Sequence, residues 1–97
     1  MKIIRSYGNE PTDFVEFADK HNLDLKMGID VSGNFYCSFV NAEYKDGVVL
    51  VSSSGRGETE EEAIKNYAKE ISRKLLVIDA YTSSRREIQV PVLSYNP

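Results

Sequence analysis

The stretch with the most potential for chemistry is GRGETEEEAIKNYAKEIS, at residues 55–72. Gly55 and Gly57 precede a helical pattern, and glycines before a helix N-terminus are typical of phosphate sites because backbone amides point at the anion there. Three glutamates, Glu60–Glu62, occupy the first turn instead, and their charge would repel a phosphate. We therefore expect the glycines to form a turn and Thr59 to cap the helix with its hydroxyl.

Residue types that serve catalysis or metal binding occur singly. A nucleophilic Cys37 would need a base beside it, and His21 is the only histidine in the chain. Cys37 lies within a strand-like run, which favours a small buried apolar side chain, and His21 lies at a helix end, where it satisfies terminal carbonyls. The carboxylates of Glu58–Glu62 match the spacing of no calcium loop. We predict that the protein is not an enzyme and holds no metal or cofactor.

The charge distribution argues against a nucleic-acid or membrane-surface protein. The net charge is −3, with acids and bases interspersed. Arg85 and Arg86 form the one compact basic spot in the sequence, and two charges are too few for an electrostatic footprint. They could instead bind a carboxylate on a partner protein, or belong to a solvated loop.

The six tyrosines could stack on the bases of a single nucleic-acid strand. However, Tyr36 and Tyr44 share a strand face with Val40, and Tyr67 lies on the apolar stripe of a helix. We therefore assign several of the tyrosines to packing rather than to ligand binding.

Two amphipathic helices frame the predicted fold. The first opens at Asp13 with a D-x-x-E capping pattern and ends at Asn22. Its apolar side recurs at helical spacing: Phe14, Phe17, Ala18 and His21. The second opens at Thr59 with a T-x-x-E capping box. Its stripe spans about four turns: Ala63, Ile64, Tyr67, Ala68, Ile71 and Leu75.

Strand patterns fill the space between the helices. Residues 23–31 alternate apolar and polar side chains, and residues 35–44 and 48–54 follow as two further strands. Turns at Ser32–Asn34 and Lys45–Gly47 connect the three strands into an antiparallel meander. The chain is therefore predicted to be α+β, with a three-stranded antiparallel sheet and two helices packed on one face.

Extended segments are also expected at both ends of the chain. The start is compatible with an edge strand through Ile3 and Ile4, and Pro91 limits the last segment to a sheet edge or a strand end. We predict a single domain over residues 1–97, with a core at about 11–76 and an extended C-terminal segment at 77–97. We read no signal peptide and no run of the roughly 20 apolar residues that a membrane span needs.

The order of elements resembles that of the double-stranded RNA-binding domain over roughly residues 11–76. In that family a G-x-G-x-[ST]-K-K-x-A-K stretch opens the second helix, and GRGET at residues 55–59 with Ala63 matches its backbone-determining positions. The family's paired lysines fall on Glu60 and Glu61. The resemblance implies the fold, whereas the loss of cations that neutralise phosphate argues against binding to double-stranded RNA.

Two further resemblances concern biological setting. GETEEEA at residues 57–63 resembles the turn of HicB-type antitoxins, although the Pro-Asp strand end of that family is replaced by Val51–Ser54. The chain as a whole, with EEAIKNYAKEIS and then RREIQVPVL, resembles small accessory proteins of temperate bacteriophages and prophages. That likeness, together with a lone cysteine, implies the cytoplasm of a bacterial host.

We predict a non-enzymatic interaction protein that binds another protein or itself. The C-terminal segment carries apolar residues beyond what the sandwich needs, and an extended segment beside a sheet edge can pair with another chain. The candidate contact residues are Arg85, Arg86, Ile88, Val90 and Val92. The alternatives are a nucleic-acid-binding regulator, either a degenerate dsRNA module or a HicB-like antitoxin, and an acidic inhibitor that uses Glu58–Glu62 against a host nucleic-acid enzyme.

Overall fold

The computed structural model describes residues 1–3 and 10–97. Two helices and nine short strands follow one another along the chain: β1 (Thr12–Asp13), α1 (Phe14–Lys20), β2 (Leu25–Ile29), β3 (Phe35–Phe39), β4 (Ala42–Asp46), β5 (Val49–Val51), β6 (Gly55–Gly57), α2 (Glu60–Ile71), β7 (Leu75–Ile78), β8 (Arg86–Gln89) and β9 (Leu93–Ser94). The N-terminal edge strand expected through Ile3 and Ile4 lies, from residue 4 onward, outside the described residues, and Ile3 itself is in no strand.

Helix α1 forms as its spacing predicts. The carboxylate of Asp13 accepts a hydrogen bond from the backbone N–H of Glu16 at 3.1 Å, which caps the helix. Phe14 and Phe17 are buried, and the ring of Phe17 lies 4.8 Å from that of His21, centroid to centroid. With only seven residues, α1 covers a small part of the sheet beneath it.

The strands belong to an α+β fold, but they form two main antiparallel sheets rather than one meander. The first has the order β2-β3-β6 and the second the order β5-β4-β7-β8. The predicted second strand divides into β3 and β4 at Asn41, which adopts a φ of +54° that asparagine tolerates better than most residues. Six residues lie between Cys37 and Tyr44, but only three lie between their partners, Gly55 and Val51, so the β3–β4 side of the ladder carries three extra residues.

The core lies on the inner face of the three-stranded sheet, where both helices contact β3. The ring of Phe39 stacks on Phe14 of α1 at 5.1 Å and meets Tyr67 of α2 edge-on at 5.4 Å. Cys37 is also fully buried on this face, as its alternation with Tyr36 predicts. This aromatic cluster joins the two helices to each other through the sheet.

The C-terminal residues are part of this core. The prediction that their apolar side chains are not needed for the fold was therefore wrong. β7 pairs with β4, and β8 pairs with β7. Leu76 and Val90 are 1% exposed, and β9 pairs in parallel with β1. Tyr95 then packs edge-on against Phe14 at 6.2 Å. Most apolar side chains of the C-terminal segment are therefore buried against other parts of the same chain.

Candidate functional site

The two glycines of GRG lie in a strand and not in a turn, contrary to the sequence prediction. Gly55 and Gly57 are buried in β6, facing α2. A Cβ atom on Gly55 would overlap the carbonyl oxygen of Ala63 and the backbone nitrogen of Tyr67, and one on Gly57 would lie 2.6 Å from the Cβ of Glu62. The glycines let the helix lie directly on the strand, so the requirement is close packing and not an anion.

Thr59 caps the N-terminus of α2 with its side chain, as predicted. The hydroxyl of Thr59 accepts a hydrogen bond from the backbone N–H of Glu62 at 3.1 Å. Glu58 and Glu60–Glu62 are exposed to solvent, and acidic residues in this position stabilise the helix dipole. These carboxylates disfavour phosphate binding at this end of the helix, as the sequence predicts.

On the outer face of the same sheet, three residues form one row across the strands. Tyr36 of β3 is the register partner of both Gly28 in β2 and Arg56 in β6. A Cβ atom at position 28 would lie 2.5 Å from the Cζ and hydroxyl of Tyr36, so the far end of the ring rests on the glycine. The guanidinium carbon of Arg56 lies 5.9 Å from the ring centroid.

The carboxylate of Asp30 forms an ion pair with Arg56 and orients its guanidinium. Arg56 Nη1 lies 2.8 Å from the carboxylate of Asp30, in the turn after β2. The Ser32 hydroxyl donates to the same carboxylate at 2.6 Å, and backbone N–H groups of Ser32 and Asn34 also donate to it. These hydrogen bonds, with Arg56 contributing, lower the pKa of Asp30. Asp30 therefore stays ionised at neutral pH and fixes one side of the guanidinium.

A shallow depression of about 360 Å³ surrounds the ring of Tyr36. We call this surface the Tyr36 face; its lining residues are Lys26, Tyr36, Ser38, Ser52, Ser53, Ser54 and Arg56. Both charged members are cations, and the side chain of Tyr36 is 38% exposed. Sequence reasoning placed Tyr36 among packing residues because Val40 shares its face, but Val40 is itself 40% exposed. The strand alternation identified the face correctly, and only the assumption that this face was covered was wrong.

The other candidate residues are scattered. Cys37 is fully buried, and burial raises the pKa of its thiol to about 11, so it is a poor nucleophile near neutrality. His21 caps the end of α1 through its backbone N–H, and partial burial together with Lys20 and Arg86 lowers its pKa. Within residues 1–3 and 10–97, no three histidine, cysteine or acidic side chains converge in a way that could hold a metal ion.

The predicted contact residues of the C-terminal segment are divided between surface and interior. Arg85 and Arg86 are exposed, and Arg85 pairs with Glu87 at 3.3 Å. Ile88 and Val90 are buried within the chain, with Val92 half-buried. Two of the five are thus unavailable to a partner in this fold, because β8 and the residues after it already pack on their own domain.

No protein-family model, curated protein or solved structure matches this chain. In the described part of the chain, neither helix has the length and hydropathy that a membrane crossing requires.

One further surface lies at the edge of the three-stranded sheet. β2 lies at one end of the order β2-β3-β6, and no described strand pairs with its outer edge. On the inner face of this strand Leu25 and Met27 are half-buried, while Ile29 is 61% exposed beside its half-buried partner Phe35. The apolar side of β2 therefore continues beyond the part that the core covers.

Proposed function

We propose that the protein is a non-enzymatic interaction module that self-associates by pairing the outer edge of β2 with β2 of a second copy. The observation that carries this proposal is the exposure of Ile29 on β2, an edge strand among the residues 1–3 and 10–97, whose other apolar residues are only half-buried. An apolar strand with unpaired backbone groups at a sheet edge is a template for pairing with another chain. Such pairing would join two three-stranded sheets into one of six strands.

The side chains of β2 are compatible with an antiparallel pair about a two-fold axis through Met27. In this register Leu25 lies opposite Ile29 of the second copy, and Met27 lies opposite itself. On the outer face, Lys26 lies opposite Gly28 of the second copy. Within Leu25–Ile29 no like charges face each other, and the pairing must end before Asp24 comes opposite Asp30 of the second copy. Apolar cross-strand pairs stabilise a sheet by roughly 0.2–1 kcal/mol each.

The other described edges are less suited to this role. β8 presents the exposed side chains of Arg86, Glu87 and Gln89, and charged side chains are a common means of preventing edge pairing. Glu87 also forms an ion pair with Lys45 across the sheet and one with Arg85, which directly precedes β8. β5 and β6 have three residues each, and very short edge strands likewise disfavour pairing. We therefore propose β2 in place of the C-terminal segment as the contact strand.

We also propose that the scaffold is a dsRBD-like α-β-β-β-α sandwich used for protein contacts. The order of α1, β2, β3–β4, β5–β6 and α2, with both helices against β3, supports this relationship. Binding to double-stranded RNA is not part of the proposal, because carboxylates occupy the first turn of α2. A bacterial cytoplasmic setting, in a phage or prophage context, is proposed from the sequence resemblance alone.

Sedimentation equilibrium of the purified protein tests self-association. We expect a species of twice the 11.0 kDa chain mass that dissociates on dilution over roughly three decades of concentration, as mass action requires. The variant Ile29→Lys is expected to shift this equilibrium to monomer, because two charges would enter the apolar pairs on the inner face. Circular dichroism of the variant establishes that it remains folded.

The matched control is Val49→Lys, which adds the same charge at an exposed valine on the edge of β5. It is expected to leave the dimer unchanged. A protein that stays monomeric at the highest concentration, or a dimer that Val49→Lys disrupts and Ile29→Lys does not, would rule out pairing through β2.

A further inference from the structure

We propose that the Tyr36 face binds an unpaired nucleotide, with the base stacked on the Tyr36 ring and the phosphate held by Lys26 and Arg56. The same chemistry is offered by a free nucleotide and by a single-stranded nucleic acid. The proposal concerns the outer face of the sheet and does not depend on self-association through the edge of β2.

The ring is already in position to receive a base. Gly28 leaves room for the far end of Tyr36 to lie down on the sheet, and the guanidinium carbon of Arg56 lies over the ring at 5.9 Å from its centroid. A base would therefore stack on the part of the ring face that Arg56 leaves open. A ring fixed in this way loses little conformational freedom when a ligand stacks on it. Stacking of a base on an exposed aromatic side chain contributes about 1–3 kcal/mol and tolerates any base.

The cations beside the ring provide the phosphate contacts. Arg56 uses Nη1 for Asp30, its side chain is 63% exposed, and a guanidinium has five N–H donors in all. Lys26 is exposed and forms no ion pair with any residue of the described ranges. The hydroxyl groups of Ser38 and Ser52–Ser54 border the same depression and can hydrogen-bond to phosphate or sugar oxygens.

The acidic first turn of α2 does not oppose this site. Gly57 faces α2 on the inner side of β6, whereas Arg56 projects from the opposite side. Glu60 and Glu61 therefore lie across the sheet from the Tyr36 face. The only carboxylate that contacts a cation of this face is Asp30, which orients Arg56 and leaves Lys26 uncompensated among the described residues.

The geometry selects unpaired bases over duplexes. A base that stacks on Tyr36 must expose one of its flat faces, which a base inside a duplex cannot do. On a single strand, Lys26 and Arg56 can each contact a different phosphate, so the affinity is expected to fall with salt at a logarithmic slope of about −1.4, at roughly −0.7 for each phosphate. A slope of this size distinguishes a compact site from an extended basic surface.

The experiment combines two measurements on the full chain. Chemical shifts of ¹⁵N-labelled protein are followed during titration with uridine 5′-monophosphate and, separately, with inorganic phosphate. Fluorescence anisotropy follows a labelled oligothymidine and the duplex that it forms with oligodeoxyadenosine. The nucleotide is expected to shift the resonances of Lys26, Gly28, Tyr36 and Arg56, and the duplex is expected to bind at least tenfold more weakly than the single strand.

Three substitutions make the test specific. Tyr36→Leu still covers Gly28 but offers no aromatic face, and it should weaken binding at least about fivefold, whereas Tyr36→Phe should retain it. Lys26→Ala should reduce the salt slope by about 0.7. Lys20→Ala, which removes the same charge from the exposed end of α1, should leave affinity within twofold.

The outcomes separate the two sources of the ligand. Equal affinity for mononucleotide and oligonucleotide supports a free-nucleotide site, and tighter binding of the oligonucleotide supports a single-strand site. The proposal is overturned if inorganic phosphate binds as tightly as the nucleotide, if Tyr36→Leu binds like Tyr36→Phe, or if no resonance of the Tyr36 face shifts.

Discussion

The backbone N–H of Phe39 in β3 donates a buried hydrogen bond to the hydroxyl oxygen of Tyr67 in α2, at 3.1 Å. Phe39 lies two residues beyond Cys37, the last residue of β3 that pairs with β6. The side chain of the helix thus satisfies a strand amide at the place where the ladder between β3 and β6 has ended. The division into two sheets therefore leaves no unsatisfied amide at Phe39, although this position is buried.

Replacing Tyr67 with phenylalanine is therefore expected to cost about 1–3 kcal/mol of unfolding free energy, because it leaves a buried amide without an acceptor. Urea denaturation measures the loss. Tyr44→Phe is the matched control: the Tyr44 hydroxyl donates to Glu70 at 3.2 Å in a half-exposed position, so water can replace the bond. A Tyr67→Phe variant as stable as Tyr44→Phe would show that the Phe39 amide finds another partner.

Gly55→Ala is expected to destabilise the protein by about 3 kcal/mol, the upper part of the range for overpacked cores. The added methyl group would meet backbone atoms of α2 at Ala63 and Tyr67, which cannot move without shifting the helix. Gly28→Ala is the comparison, since the atoms nearest its methyl group would belong to the end of the Tyr36 side chain, which is displaced more easily than a helix backbone. We expect a cost below about 1 kcal/mol there. Thermal unfolding of the two variants checks the difference, and equal losses would contradict direct contact between helix and strand.

The contrast between Gly55 and Thr59 shows what sequence patterns determine here. The cap at Thr59 was predicted correctly because it depends on residues three positions apart. The glycines were assigned to a turn because glycine appears both where the backbone turns and where another element approaches closely. Only the position of α2 distinguishes the two cases, and local sequence does not contain it.

The strand pattern likewise predicts local features but not the arrangement of distant elements. Alternation placed Cys37 and Phe39 on one face of the strand and Tyr36 on the other, and in the structure the first two are buried and Tyr36 is exposed. It could not show that the strand bends at Asn41 into a second sheet, since residues on both sides of the bend keep the same period. Nor could it show that Val90 packs into the core of its own domain, because burial against a distant element leaves the same apolar pattern as burial against a partner.

Arg73→Gly is expected to stabilise the protein by about 0.5–1 kcal/mol. Arg73 follows the C-cap Ser72 of α2 and has a φ of +68°, a left-handed conformation that glycine adopts without steric cost. Its backbone N–H donates to the carbonyl of Val90 at 3.0 Å, and this bond remains in the variant.

Urea denaturation of Arg73→Gly and Lys74→Gly provides the test. Lys74 lies next in the chain, but its ammonium is 4.2 Å from the ring centroid of Tyr44 and donates to the carbonyl of Glu70 at 2.6 Å. Lys74→Gly should therefore lose stability. If both glycine variants are destabilised, the cost of the left-handed conformation at Arg73 is smaller than the entropy that glycine adds to the unfolded chain.

Alkaline pH is expected to destabilise the fold through two buried groups. Burial raises the pKa of the Cys37 thiol from 9.0 to about 11 and that of the Tyr67 phenol from 10.0 to about 12. The folded state therefore retains both protons at pH values where the unfolded chain has released them. Their contribution is fully present below pH 9 and is lost as the pH rises towards 12, at about 2–3 kcal/mol for each group.

Urea midpoints measured between pH 7 and 11 test this expectation, and Cys37→Ala isolates one of the two groups. The variant is less stable at every pH because it leaves a cavity, so the comparison concerns the slope and not the absolute value. Wild-type stability should fall more steeply than that of Cys37→Ala between pH 9 and 11, where only the wild type has a buried thiol to ionise. Parallel curves would mean that the thiol ionises as readily in the folded protein as in the unfolded chain, and the packing of Cys37 beneath α2 would have to be looser than the structure shows.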